Sequence, residues 1–403
     1  MARRTPLRKL LEQSGASLSP YGPALDDAGG DHIELAEAFT DIELEYAAIR
    51  KACVLFDAPH RAVLEVTGAD RIDFLQRMIT QDLRALAPLC ATRAFWLNRK
   101  GRIDADLRVI NLDDRILLTV DAHAAKRAAE TLSAYVITED VTITDVTDRR
   151  HILHLLGPTA SDLLRALTGA SPDNNHAARC TIDNVPCLVD RQDMANISAF
   201  ELILDSPDDA PDLWSALLDA AAMRTAEDGS PAPSPDLAKQ VRLRPCGWHA
   251  VNIARIESGV PLYNIDFGPD SLPHETGVLH DRVSFKKGCY LGQEVVARLE
   301  ALGKPKQQLV ALRIDPVPSP DEPHDPRLPV APAQLFAEND ALGEVIGAVT
   351  SSSLSPMLGN APIAFAQLRT KHAEPGTRLA TSAQGAILHA TVQPHLQFWP
   401  ANV

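Results

Sequence analysis

Aromatic residues are scarce in this chain, 5% of 403 positions, and basic residues are outnumbered: 39 Lys and Arg against 53 Asp and Glu leave a formal net charge of −14. That balance excludes a broad electrostatic grip on nucleic acid or on an anionic membrane, because such binding needs clustered cations against phosphates. No apolar run approaches the roughly 18 residues of a membrane span, so the expectation is a soluble protein with no membrane partner. Cysteines are few (Cys53, Cys90, Cys180, Cys187, Cys246 and Cys289) and none pairs as C-x-x-C. They read as reduced thiols of a cytoplasmic protein, with no disulfide framework and no metal bound by the chain alone. GxGxxG and GxxxxGKS/T are missing as well, which argues against dinucleotide and P-loop NTPase chemistry.

What is present is an ordinary globular balance, 45% apolar and 23% charged, in a chain long enough for about three domains. Thr5-Pro6 opens a first helix, and segment 14–31 reads as a polar, Gly-rich loop. Helix 42–51, strand 63–66 and a helix capped at Asp70, with Ile72, Leu75, Ile79 and Leu83 on one face, follow. Residues 95–110 form a hairpin turning at Asn98-Arg99-Lys100-Gly101. Period two in its second strand places Ile103, Ala105 and Leu107 on one face and Asp104, Asp106 and Arg108 on the other. Strand 151–156 starts a second unit, where His151 and His154, three apart, face opposite ways, which favours structural or solvent-facing histidines over a metal pair. The prolines of 228–235 mark a surface loop, and seven more between 315 and 333 mark a linker. Short punctuated segments from 348 onward predict a small all-β barrel. Strands and helices alternate without parallel regularity, so the class is α+β.

The densest chemistry lies at Lys286-Lys287-Gly288-Cys289-Tyr290-Leu291-Gly292-Gln293-Glu294. A helix beginning near Gly292 sets Cys289 just ahead of its N-terminus, where the macrodipole and the two lysines favour a thiolate. An inert cysteine in a tight turn is the alternative.

Residues 287–294 resemble the KGCYxGQE signature of the YgfZ group, folate-binding relatives of the glycine-cleavage T-protein that support iron–sulfur protein maturation. Leu55-Phe56-Asp57 with His60, Leu64 to Asp70, Thr80-Gln81-Asp82, Arg255-Ile256-Glu257-Ser258-Gly259 and Gly347-Ala348-Val349-Thr350-Ser351 resemble the scaffold shared by both branches. The resemblance implies two α/β lobes in a ring around a folate channel, closed by a small C-terminal β-barrel. The domain boundaries expected on this basis are 1–150 for the N-terminal folate-binding lobe, 151–225 for the second lobe, 226–305 for a return to the first, and 306–403 for the barrel with its linker at 315–333.

The resemblance also implies tetrahydrofolate or a derivative as ligand, with Glu257 holding the pteridine and Arg255, Gln293 and Glu294 as further binding residues. Cys289 is the expected working thiol, assisted by Lys287. True aminomethyltransferases carry a catalytic Asp in a Gly-Gly-x-x-Asp-Asp strand, and that position falls here at Ala105. The expectation is therefore a cytoplasmic accessory factor for assembly or repair of iron–sulfur clusters that binds folate without aminomethyl transfer. Its partners would be iron–sulfur assembly proteins and 4Fe–4S client enzymes, with tRNA modification touched only indirectly. The alternatives are a tetrahydrofolate-dependent aminomethyltransferase or demethylase using Asp104 or Asp106, and a scaffold that binds no folate.

Overall fold

The computed structural model describes residues 5–22, 32–221, 241–318, 326–338 and 343–399. The Pro-rich loop at 228–235 and the middle of the 315–333 linker lie outside them. The chain divides into two units: residues 1–75, 83–93 and 107–251 make the first, and 76–82, 94–106 and 252–403 the second.

In chain order the elements are α1 (Arg8–Gln13), β1 (Ser17–Tyr21), β2 (Ile33–Ala38), α2 (Ile42–Lys51), β3 (Cys53–Asp57), β4 (Arg61–Thr67), α3 (Arg71–Met78), β5 (Ala91–Leu97), β6 (Ile103–Asn111), β7 (Ile116–Asp121), α4 (Ala122–Ser133) and β8 (Thr142–Asp145). Next come β9 (His151–Leu156), α5 (Ala160–Thr168), β10 (Ala177–Ile182), β11 (Val185–Arg191), β12 (Ala199–Leu204), α6 (Ala210–Ala221), β13 (Leu243–Pro245) and α7 (Trp248–Glu257). The chain ends with α8 (Leu279–Arg282), α9 (Gln293–Leu302), β14 (Gln307–Ile314), β15 (Gln334–Ala337), β16 (Gly347–Ser355), β17 (Ala361–Arg369), β18 (Arg378–Ala383) and β19 (Ala386–Val392).

The first unit holds a six-stranded sheet in the order β10-β11-β12-β9-β3-β13. Its hairpins pair antiparallel, and only β13 runs parallel to β3. Leu55, Leu153, Leu155, Phe200 and Leu202 from the sheet pack with Leu163, Leu164, Leu213, Trp214 and Leu217 from α5 and α6. The helices follow their sequence pattern: in α4, Ala124, Ala125, Ala128 and Leu132 are the buried stripe, and the Asp121 carboxylate caps the start by accepting from the His123 amide at 2.9 Å. The expected Asp70 cap is different. Its carboxylate accepts from the Asp140 amide at 2.9 Å, 70 residues along the chain, tying down the segment before β8 instead of the first turn of α3. Within segment 14–31, expected to be a loop, β1 forms and pairs antiparallel with β2. Tyr21, Ile33 and Leu35 are buried, so packing overrides weak local propensity.

The second unit carries a closed barrel in the order β14-β17-β16-β15-β18-β19. Val310, Leu312, Leu335, Val349, Ala364, Ala366, Leu379, Leu388 and Ala390 fill it. A second cluster of Ile256, Leu309, Ala311, Ile363 and Phe365 joins the end of α7 to β14 and β17. The fold is thus mixed α/β with a six-stranded C-terminal barrel, as the sequence predicted. Among the described residues no helix is long and apolar enough to cross a membrane.

Candidate functional site

The predicted site residues all lie in the second unit. α7 ends at Glu257, where Gly259 turns with φ +74° and leaves no room for a Cβ against the backbone of Gln397. That turn buries Glu257 fully. Ser355, the last residue of β16, donates its hydroxyl to Glu257 Oε1 at 2.5 Å, and the Phe398 amide donates to the Glu257 carbonyl at 3.1 Å.

Arg255, expected to touch the ligand, is buried in a network of its own. Its guanidinium donates to Asp266 Oδ2 at 2.5 Å, Ser351 Oγ at 2.5 Å, Asn252 Oδ1 at 2.8 Å and the Val260 carbonyl at 3.3 Å, and it sits 5.8 Å from the Phe365 ring centroid. Asp266 also accepts from the Leu262 amide and from the Thr350 and Ser351 hydroxyls. Arg255 and Asp266 thus fasten α7 and the segment after it to β16.

The motif at 284–292 is a turn that lies along residues 77–81. Lys287 is buried, and its ammonium donates to the Ile79 carbonyl at 2.6 Å and the Gln81 carbonyl at 2.8 Å, 5.3 Å from the Tyr290 ring centroid. The Ser284 amide donates to the Thr80 carbonyl and the Leu291 amide to that of Arg77. Burial pushes the Tyr290 phenol up to about 12. α9 begins at Gln293 with Gly292 (φ +78°) as its cap residue, as the glycine spacing implied. A Cβ on Gly292 would meet the Asn98 carbonyl at 2.7 Å, and one on Gly101 would meet Val295. Those two glycines let the hairpin turn and α9 touch. Cys289 is exposed on this turn, Gln293 is half-buried, and Glu294 is exposed beside Leu272, Val295 and Arg298 in a shallow groove.

β6 keeps its alternation. Ala105 is fully buried with Ile103 and Leu107. On the other face, Asn98 Nδ2 donates to Asp104 Oδ1 at 3.4 Å, and the Arg282 Nε donates to Asp106 Oδ1 at 3.2 Å. Tyr263 donates its hydroxyl to the carbonyls of Ile103 and Asp104. Sequence reasoning missed Asp266, Tyr263, Arg282, Ser351 and Ser355. Each has a partner more than 80 residues away along the chain, so their roles do not show in local spacing. Among the described residues no group of three or more His, Cys, Asp or Glu could hold a metal ion.

The GCVT N-terminal domain matches residues 21–232, and the glycine cleavage T-protein C-terminal barrel domain matches residues 308–397. The chain belongs to the glycine cleavage T-protein family. This family uses tetrahydrofolate. A relative from Halalkalibacterium halodurans, named Aminomethyltransferase, is 28% identical over 97% of this chain and 96% of its own length. One of the same name from Saccharopolyspora erythraea is 29% identical with the same coverage. The crystal structure of glycine cleavage system aminomethyltransferase T from Bartonella henselae superimposes with a TM-score of 0.78 at 22% identity, covering 97% of this chain and 96% of that one, and so shares the fold. These matches correct the iron–sulfur accessory role. That expectation rested on the motif at 287–294, whereas the likeness to T-proteins runs from end to end. Within the motif, moreover, the Lys287 ammonium is bonded to backbone carbonyls.

Proposed function

We propose that this protein is a tetrahydrofolate-dependent aminomethyltransferase, passing a one-carbon unit from an aminomethyl donor to the folate. The observation that carries this reading is the near full-length match to proteins named Aminomethyltransferase. The chemistry of Glu257 is compatible with the ligand. A carboxylate accepts several hydrogen bonds at once, and the Ser355 hydroxyl, bonded to Oε1, helps to fix its orientation. An aminopyrimidine edge presents two parallel N–H groups, and each charge-assisted bond contributes on the order of 1.5–3 kcal/mol.

A bound reduced folate supplies the amine nitrogens on which the one-carbon unit is received. The protein's part is to hold the ring edge through Glu257 and to handle protons through the carboxylates of β6. Ala105 carries no acid, so that task falls to Asp106, whose direction the Arg282 guanidinium fixes, with Asp104 beside the hairpin turn. Positioned general acids and bases of this kind contribute roughly 100- to 10,000-fold in rate.

The test is turnover of an aminomethyl donor with tetrahydrofolate, read as methylene-tetrahydrofolate and ammonia. Asp106→Asn should lower the rate at least about 100-fold with folate affinity retained. Glu257→Gln should weaken folate binding about 10- to 100-fold in calorimetry. Folate binding without turnover by the wild-type protein would end the transferase reading and make Ala105 the reason.

A further inference from the structure

β10 and β11 carry a pair of side chains for which the proposed transfer has no use. Asp183 and Asn184 both take positive φ, 47° and 64°, which is the geometry of a two-residue type I′ hairpin turn. The register fixed by that turn sets Cys180 directly opposite Cys187, and their sulfurs lie 3.3 Å apart. Opposed residues of an antiparallel pair have Cα atoms about 4.5–5.5 Å apart, inside the roughly 4.4–6.8 Å that a disulfide spans. Closing the sulfurs to a bond therefore asks for side-chain rotation and not for separation of the strands.

The two thiols differ in access. Cys187 is buried and Cys180 is half-buried, and both line a groove of about 530 Å³ together with Arg115, Arg150 and Arg179. The hydrogen bond between the two sulfurs draws the Cys180 thiol below its ordinary value, and the same bond, with burial, pushes Cys187 up. Cys180 is thus the sulfur that ionises and meets solvent, and Cys187 the one held in reserve behind it.

We propose that Cys180 and Cys187 are a two-electron redox pair that a small hydroperoxide converts to a disulfide. The Cys180 thiolate attacks one peroxide oxygen. The O–O bond breaks, the departing oxygen takes a proton and leaves as water or an alcohol, and Cys180 becomes a sulfenic acid. The Cys187 sulfur then attacks the Cys180 sulfur, and the sulfenic hydroxyl leaves with the Cys187 proton as water. In sum two thiols and one hydroperoxide give one disulfide, one water or alcohol and one further water. The closed loop is so short that it constrains little of the unfolded chain, so the bridge records oxidant and does not serve as a staple.

The experiment oxidises the intact wild-type chain with a small molar excess of hydrogen peroxide, alkylates the remaining thiols and digests with trypsin without reduction. Cleavage after Arg179 and Arg191 isolates peptide 180–191, which contains both cysteines and no other. The expected result is this peptide unalkylated and lighter by two hydrogens, regaining both alkylation sites after treatment with dithiothreitol. In Cys187→Ser the sulfenic acid at Cys180 should persist and be trapped by dimedone. Recovery of peptide 180–191 doubly alkylated from oxidised wild-type protein, with oxidation confined to exposed Cys289, would overturn the proposal. So would dimedone labelling of Cys187→Ser at Cys289 and not at Cys180.

Discussion

Replacing Asp266 by Asn tests how the second unit holds α7 in place. The change keeps the side-chain volume, so no cavity term enters, but it removes the charge that faces Arg255. In the native protein Asp266 is 1% exposed and Arg255 2%, and their 2.5 Å contact is accompanied by three further donors to the same carboxylate. An Asn oxygen and amide cannot accept from all four. The Thr350 and Ser351 hydroxyls can rotate to accept from the new amide, whereas the Arg255 guanidinium cannot stop being a cation. The dominant loss is thus the uncompensated buried charge, which costs about 3–5 kcal/mol when one partner of a buried pair is removed. Urea unfolding followed by tryptophan fluorescence reads this, with the transition of the second unit fitted separately from that of the first. Arg255→Met with Asp266→Asn removes the stranded charge and should recover part of the loss, giving a coupling energy of order 1–3 kcal/mol in the double-mutant cycle. A loss below about 1 kcal/mol for Asp266→Asn, or strict additivity in the cycle, would refute the view that this pair fastens α7 to β16.

Lys287→Met keeps the aliphatic stem and leaves the Ile79 and Gln81 carbonyls without their charged donor. The expected loss is about 1.5–3 kcal/mol, with faster hydrogen exchange at the Ser284 and Leu291 amides; unchanged exchange there would show that the turn holds without the cation. Gly292→Ala forces a side chain into φ +78° against the Asn98 carbonyl, costing at least about 1–2 kcal/mol, measurable as a lower melting temperature, whereas Gly303→Ala meets only the end of Leu299 and serves as the tolerant control. Burial lowers His60 to about 3, with neighbouring His154 and Arg61 adding to the effect. Below the unfolded value of about 6.5 the unfolded chain binds a proton that the folded state refuses, so this contribution is complete above pH 6.5 and is lost as pH falls from there toward 3. His60→Gln should flatten the fall in unfolding midpoint across that window, and an identical pH profile in wild-type and variant proteins would assign acid sensitivity to other groups.

Much of the fold could be read because its signals are local. Helix 42–51, the turn at Asn98 to Gly101, the alternation in β6 and the start of α9 at Gly292 all rest on residues close together in the sequence, and the structure keeps each of them. β1, β2 and β14 were missed because their strand character is supplied by the neighbour they pair with: Ser17-Leu18-Ser19-Pro20-Tyr21 has little propensity until Ile33 to Ala38 lies beside it. The site divides in the same way. Glu257 stood out through the residues around it, but the partners that decide its role, Ser355 on β16 and the Phe398 amide, are about a hundred residues or more away.

Lys287 shows the consequence. A lysine beside a cysteine reads locally as an activator of the thiol, since both effects that lower a thiol pKa are present in the sequence. In the fold its ammonium points to two carbonyls about two hundred residues earlier in the chain, so its charge is directed into the structure. A polar cluster in a sequence marks a place where the backbone needs polar partners as readily as a place where a reaction occurs, because an unsatisfied buried carbonyl is as costly as an unused catalytic group is free to drift. The two cases separate only when the acceptor is known. By that criterion the proposed chemical roles rest on carboxylates whose partners come from other elements: Glu257 accepts from Ser355 of β16, and Asp106 from Arg282. Within the most crowded motif of the sequence, Lys287 is a residue whose charge meets that need of the backbone.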